Sequence, residues 1–169
     1  MDFPKRKSSR LKGYDYSTNG AYFITICTDK RKNLFSHIVG AIHESPVSIL
    51  TFYGTAVDSI IKSLPERFNV KIDNYIIMPN HIHMIISIEN APRAIRESPL
   101  PPSSDIIRVI GYLKMNASKQ IHKSGYEGKT WQRSFHDHII RDEKDYQMIW
   151  EYIEHNAQKW EEDCFYTNE

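Results

Sequence analysis

The stretch from Val70 to Glu89 constrains the fold most. Two runs rich in β-branched residues, Val70–Met78 and His81–Glu89, are separated only by Pro79-Asn80. Proline removes a backbone donor and asparagine tolerates tight turns, so the dipeptide reads as a turn between strands that pair antiparallel. The second run, HIHMIISI, is apolar apart from its histidines and one serine. The hairpin is therefore expected at the centre of a sheet.

Flanking segments fill in the rest. Ala21–Thr28 (AYFITICT) follows the turn signal Asn19-Gly20 and leaves into a charged run, which predicts a core strand. Ser36–Val47 reads as a weaker strand or hairpin arm around Gly40. Ala56, Val57, Ile60, Ile61 and Leu64 lie on one helical face, predicting a helix over Thr51–Leu64 that Pro65 helps to end. Four prolines in Asn90–Ser104 predict an exposed loop. Ser104 or Asp105 then caps a helix with its apolar face through Ile106, Val109, Ile110, Leu113, Ala117 and Ile121, left at Gly125 and Gly128. Ser134–Arg141 predicts an edge strand, and Glu143–Trp160 a helix with Tyr146, Ile149, Trp150 and Ile153 facing inward. The order of elements implies an α+β fold, a central antiparallel sheet with helices packed against it.

Charge matters here by position. The net formal charge is +1, yet Lys5, Arg6, Lys7, Arg10 and Lys12 crowd the first residues, and acids load the C-terminus. Between them Arg108, Lys114, Lys119, Lys123, Lys129, Arg133 and Arg141 outnumber the neighbouring acids. A polyanion favours the basic arm and this middle segment, although a solvated surface gives the same pattern. Cys27 and Cys164 lie far apart with no secretory signal before them, which predicts a reduced, cytoplasmic protein. No apolar run reaches membrane-spanning length.

His81 and His83 alternate with Ile82, so on a strand both imidazoles point to one face and can reach one ion. Buried histidines need partners for their ring nitrogens, and a metal is a shared partner. Spacing alone also admits surface or hydrogen-bonded histidines. His136 and His138 repeat the pattern around Asp137, on a shorter segment expected nearer an edge, and read better as support or surface. Tyr152 and Asn156 stand four apart, so on a helix they share a face; a core tyrosine beside a helix-terminal asparagine has the same spacing.

In combination, YIIMPNHIHMIISI, WQRSFHDHIIRDEKDY and WEYIEHNAQKW resemble the single-tyrosine transposases of the HUH endonuclease superfamily, whose fold is a ferredoxin-like sandwich. RKSSRLKGYDYSTNGAYFITICT is similar to the N-terminus of their REP-associated relatives, in which a basic arm precedes the first strand. The likeness spans nearly the whole chain in the family's order. It implies an arm over residues 1–15, a catalytic domain over 16–162 and a short tail over 163–169. It implies Tyr152 as nucleophile, His81 and His83 as ligands of Mg²⁺ or Mn²⁺, and Asn156 as a third ligand, though Ala157 stands where relatives often carry proline. His138 or Lys159 is the expected helper in deprotonating the phenol. Single-stranded DNA and DNA hairpins are the implied partners, contacted through Arg6, Arg10, Lys12, Tyr14, Arg108, Lys114, Lys119 and Arg133. The implied activity is cleavage beside a hairpin through a 5′-phosphotyrosine link and rejoining to a 3′-hydroxyl; a non-cleaving hairpin binder on the same fold is the alternative. The implied setting is a bacterial cytoplasm, associated with the nucleoid, as a monomer or homodimer.

Overall fold

The computed structural model describes residues 20–40, 45–88 and 105–167. Arg6, Arg10, Lys12 and Tyr14 and the proline-rich 90–104 segment lie outside these residues. Among the described residues, strands β1 (Gly20–Cys27), β2 (Ser36–Val39) and β3 (Val47–Leu50) precede helix α1 (Phe52–Arg67). Strands β4 (Val70–Ile77) and β5 (His81–Ile88) follow, then α2 (Asp105–Lys123), β6 (His136–Ile140) and α3 (Glu143–His155). The main sheet has the order β4-β5-β1-β6, every pair antiparallel, and β2 with β3 forms a separate ribbon. This is the α+β sandwich that the sequence implies.

The hairpin itself is placed differently from expectation. Only β5 is central; β4 is an edge strand, and the second interior position belongs to β1. Composition explains the exchange, because β4 carries Lys71, Asp73 and Asn74 whereas β1 is apolar along most of its length and pairs with β5 from Gly20 to Cys27. β6 is an edge strand, as read from the sequence.

Strand alternation divides the sheet into two faces. Tyr22, Ile24 and Ile26 of β1 and Ile82, Met84 and Ile86 of β5 are wholly buried against Val57, Ile61 and Leu64 of α1 and Val109, Leu113, Ala117 and Ile121 of α2. On the other face, Met78, Ala157 and Trp160 form a small second cluster with Ile76, Phe165 and Tyr166. The α2 face is buried as its spacing predicted.

α1 starts where Thr51 accepts from Gly54 N, at 3.1 Å, as an N-cap. Gly54 is required by contact: a Cβ there would stand 1.9 Å from the Phe35 carbonyl oxygen. Pro65 does not end the helix, which runs on to Arg67 because buried Leu64 anchors its last turn and accepts from Phe68 N at 2.9 Å. α3 stops at His155, short of the expected Trp160; the chain turns so that Trp160 enters the Met78 cluster. Trp150, expected inward, is 37% exposed. Its neighbours Tyr146 and Ile149 are half-buried and Ile153 is buried.

Candidate active site

The site sits on the sheet face away from α1 and α2. There the interior strand β5 presents His81 and His83, both buried, while α3 crosses β4 and β5. A bulge at Asp73 interrupts the pairing of β4 between Ile72 and Asn74, and Asn74 Nδ2 donates to Glu154 Oε1 of α3 at 2.9 Å. The edge strand thus holds the helix in place. One consequence is the position of Tyr152, whose hydroxyl lies 3.2 Å from His83 Nε2.

A third group completes the cluster. Asp163 Oδ2 accepts from the Tyr152 hydroxyl at 3.2 Å and from Asn156 Nδ2 at 3.0 Å. One ligand atom from each of His81, His83 and Asp163 falls within 4.8 Å of the others. Asp163 lies in the segment read from the sequence as a tail. That segment is tied down: Arg31 Nη1 donates to Cys164 O at 2.7 Å, with its guanidinium over the Phe165 ring, and Asn80 Nδ2 donates to Phe165 O at 2.8 Å. Trp160 and Phe165 were the available signal, since aromatic residues amid acids predict a segment that folds back on the core.

The donor set fits a divalent cation. Burial pushes His81 down to about 4 and holds His83 well below the usual histidine range, so both rings are neutral near pH 7, as ligation requires. His81 Nδ1 meets Asn80 Oδ1 at 2.9 Å and His83 Nδ1 meets Thr25 Oγ1 at 2.8 Å, which leaves both Nε2 atoms toward the cluster. His81 Nε2 and Asn156 Oδ1 are buried without a hydrogen-bond partner, a costly state for polar atoms that coordination relieves. Cys27, paired in register with His81, is no competitor: burial pushes its thiol up to about 11. Burial, followed by the Asp163 charge, raises the Tyr152 phenol above its ordinary value, so the hydroxyl is protonated and needs help to react.

The other predicted residues are distributed unequally. His138 projects from the same sheet face, since Phe23 pairs with both it and Ile85, but its Nε2 bonds Asp145 Oδ2 at 2.8 Å. It serves the start of α3. Lys159 is exposed beside a cavity of about 780 Å³ lined also by His37, Trp160 and Tyr166. The Tyr152 hydroxyl itself meets His83 Nε2 and Asp163 Oδ2. Lys114 Nζ donates to the carbonyls of Gln132, at 2.6 Å, and Ser134, at 3.1 Å, fastening the loop before β6. Arg108 and Lys119 are exposed on α2, in the layer opposite Tyr152, and Arg133 is exposed in the loop leading to the β6 edge.

The family described as "Transposase IS200 like" matches residues 16–156. A Haemophilus influenzae protein described only as uncharacterized is 37% identical over 174 residues, covering 96% of this chain and 94% of its own. A second protein of that organism, provisionally named a REP-associated tyrosine transposase, is 28% identical over 156 residues, covering 86% of this chain and 74% of its own. In fold the chain is similar to a REP-associated tyrosine transposase solved bound to a REP hairpin, with TM-score 0.55, 20% identity, and coverage of 89% of this chain and 74% of that one. Histidines on a central strand, a tyrosine on the helix above them and a family match over most of the sequence lead to one assignment: the chain belongs to the IS200-like transposase family.

Proposed function

We propose that this protein cleaves single-stranded DNA beside a hairpin and rejoins it, with Tyr152 as nucleophile and a divalent cation, Mg²⁺ or Mn²⁺, held by His81, His83 and Asp163. The observation that carries the reading is the Tyr152 hydroxyl, placed 3.2 Å from both His83 Nε2 and Asp163 Oδ2. A nucleophile joined to the ligand cluster is the arrangement that phosphodiester cleavage needs. Asn156 steers Asp163 through its amide donor and adds a buried oxygen at the same place. A cation held by these residues would draw charge from a nonbridging phosphate oxygen.

The chain's own residues do the rest. Phe23 stacks on the His83 ring, with centroids 5.1 Å apart, and meets Tyr152 edge-on at 6.0 Å, so both functional rings are packed in place. Tyr152 Oη attacks phosphorus in line as its proton passes to Asp163, which already accepts that hydroxyl. The bond to the 3′-oxygen breaks, the oxygen takes a proton from solvent, and a 5′-phosphotyrosine link remains. Attack on that link by a 3′-hydroxyl reverses the step, so one site cuts and joins. Arg133, exposed in the loop leading to the β6 edge, suits a strand entering from that side, whereas Arg108 and Lys119, exposed on α2, suit DNA that passes around the edge to the α2 layer.

The test is a labelled single strand carrying a hairpin, incubated with Mn²⁺ or Mg²⁺ and resolved on a denaturing gel. Wild type gives a covalent protein–DNA adduct; Tyr152→Phe and EDTA each abolish it. An adduct that persists in Tyr152→Phe places the nucleophile elsewhere, and hairpin binding without any adduct supports the binding-only alternative.

A further inference from the structure

Asn80 occupies the turn between β4 and β5, wholly buried. Its backbone carbonyl accepts from Thr28 N at 2.9 Å and from Thr28 Oγ1 at 3.0 Å, so the turn is pinned to the end of β1. Its side chain is pinned as firmly. Nδ2 donates to Arg31 O at 3.2 Å and to Phe165 O at 2.8 Å, and Thr167 Oγ1 lies 3.4 Å away. Two of those partners are backbone carbonyls, which only accept. Reversing the amide would set Oδ1 against both oxygens, so its orientation is determined by its surroundings.

The remaining amide atom, Oδ1, lies 2.9 Å from His81 Nδ1 and can only accept. The proton of the neutral His81 ring must then reside on Nδ1. Nε2 is left with a lone pair, and this buried nitrogen makes no hydrogen bond of good geometry, with the Asn156 side chain beside it. We infer that Asn80 is a positioning residue that locks His81 in the Nδ1-protonated tautomer and so presents Nε2 as a ready ligand. His83 offers a contrast, because Thr25 Oγ1 can donate or accept by rotating its hydroxyl and cannot dictate a tautomer alone.

The same amide ties the ligand to the segment that brings Asp163. Phe165 O accepts from Asn80 and Phe165 N donates to Asp163 Oδ1 at 2.7 Å, so the lock on His81 and the seat of Asp163 share one turn. The consequence for cation affinity rests on the metal reading above; the tautomer itself requires neither metal nor DNA.

The experiment uses the metal-free full chain with ¹⁵N-labelled histidine, and long-range ¹H–¹⁵N spectra that distinguish the two neutral tautomers. Wild-type His81 is expected in the Nδ1-protonated form. Asn80→Ala shifts it toward the Nε2-protonated form, and Mn²⁺ affinity by calorimetry falls roughly 10–100-fold. The wild-type spectrum decides the matter if Asn80→Ala fails to fold. An Nε2-protonated His81 in wild type, or an unchanged tautomer in Asn80→Ala, overturns the inference. Wild type that shows the expected tautomer and binds Mn²⁺ but forms no DNA adduct overturns the cleavage reading and leaves Asn80 its role.

Discussion

His81 and His83 on β5 and His136 and His138 on β6 repeat one spacing on one face of one sheet. Thr25 of β1 lies between them, paired with His83 on one side and His136 on the other. Their environments nevertheless differ throughout. The β5 pair stands on an interior strand, buried beneath α3, with each Nδ1 occupied and each Nε2 turned to a common point. On the edge strand both histidines are exposed, and His138 spends its Nε2 on Asp145. Identical local geometry yields a convergent pair of ring nitrogens only where burial fixes the rings and denies them water. Position across the sheet makes the difference, in line with the shorter β6 segment read from the sequence as nearer an edge.

The largest effect that can break this comparison is on cleavage itself. His81→Ala is expected to reduce covalent adduct formation to background, while His136→Ala retains most of it; comparable losses from both would erase the distinction. Ile82, between His81 and His83, points to the opposite face and is wholly buried, so Ile82→Ala should cost about 2–5 kcal/mol in denaturant unfolding with little change in Mn²⁺ affinity of the folded protein. A drop in affinity as large as that of His81→Ala would mean that the two faces are not independent.

Acid provides the next probe. Burial depresses the folded-state pKa values of His81 and His83, so as pH falls below about 6.5 the unfolded chain takes up protons that the folded chain refuses. Stability of the metal-free protein is therefore present at pH 7 and declines progressively toward pH 4. Thermal melts across that range should show the decline, and His81→Ala should make it shallower; an equally steep curve in the variant assigns the loss to other groups.

Smaller effects sharpen the edges of the site. Asp163→Asn keeps an acceptor for Tyr152 but removes the charge, and Mn²⁺ affinity by calorimetry should fall by roughly tenfold or more. Unchanged affinity would remove Asp163 from the ligand set. His138→Gln disturbs only an exposed contact at the start of α3, where such pairs contribute about 0–1 kcal/mol, so melting and cleavage should both stay near wild type.

Much of the scaffold was legible because it rests on periodicity. Alternation placed both β5 histidines on one side, and the helical spacing of α2 named the residues that it buries. Tyr152 and Asn156 shared a face as their separation required. Expectations failed where a long-range partner decided the outcome. Pro65 was overruled by the burial of Leu64, α3 ended early because Trp160 found the Met78 cluster, and β4 yielded the second interior place to a more apolar β1. Lys114 holds the carbonyls of Gln132 and Ser134, contacts that its place on α2 did not predict.

By itself the sequence determined the alternating strands, the amphipathic helices, the two His-x-His pairs and the tyrosine that accompanies one of them, all properties of neighbours a few residues apart. Only the tertiary structure brought Asp163 to the Tyr152 hydroxyl and turned the Asn80 amide toward His81. Those choices depend on contacts between residues as far apart as Arg31 and Cys164, and on the cost of burying a polar atom without a partner, which exists only once the chain has closed around it.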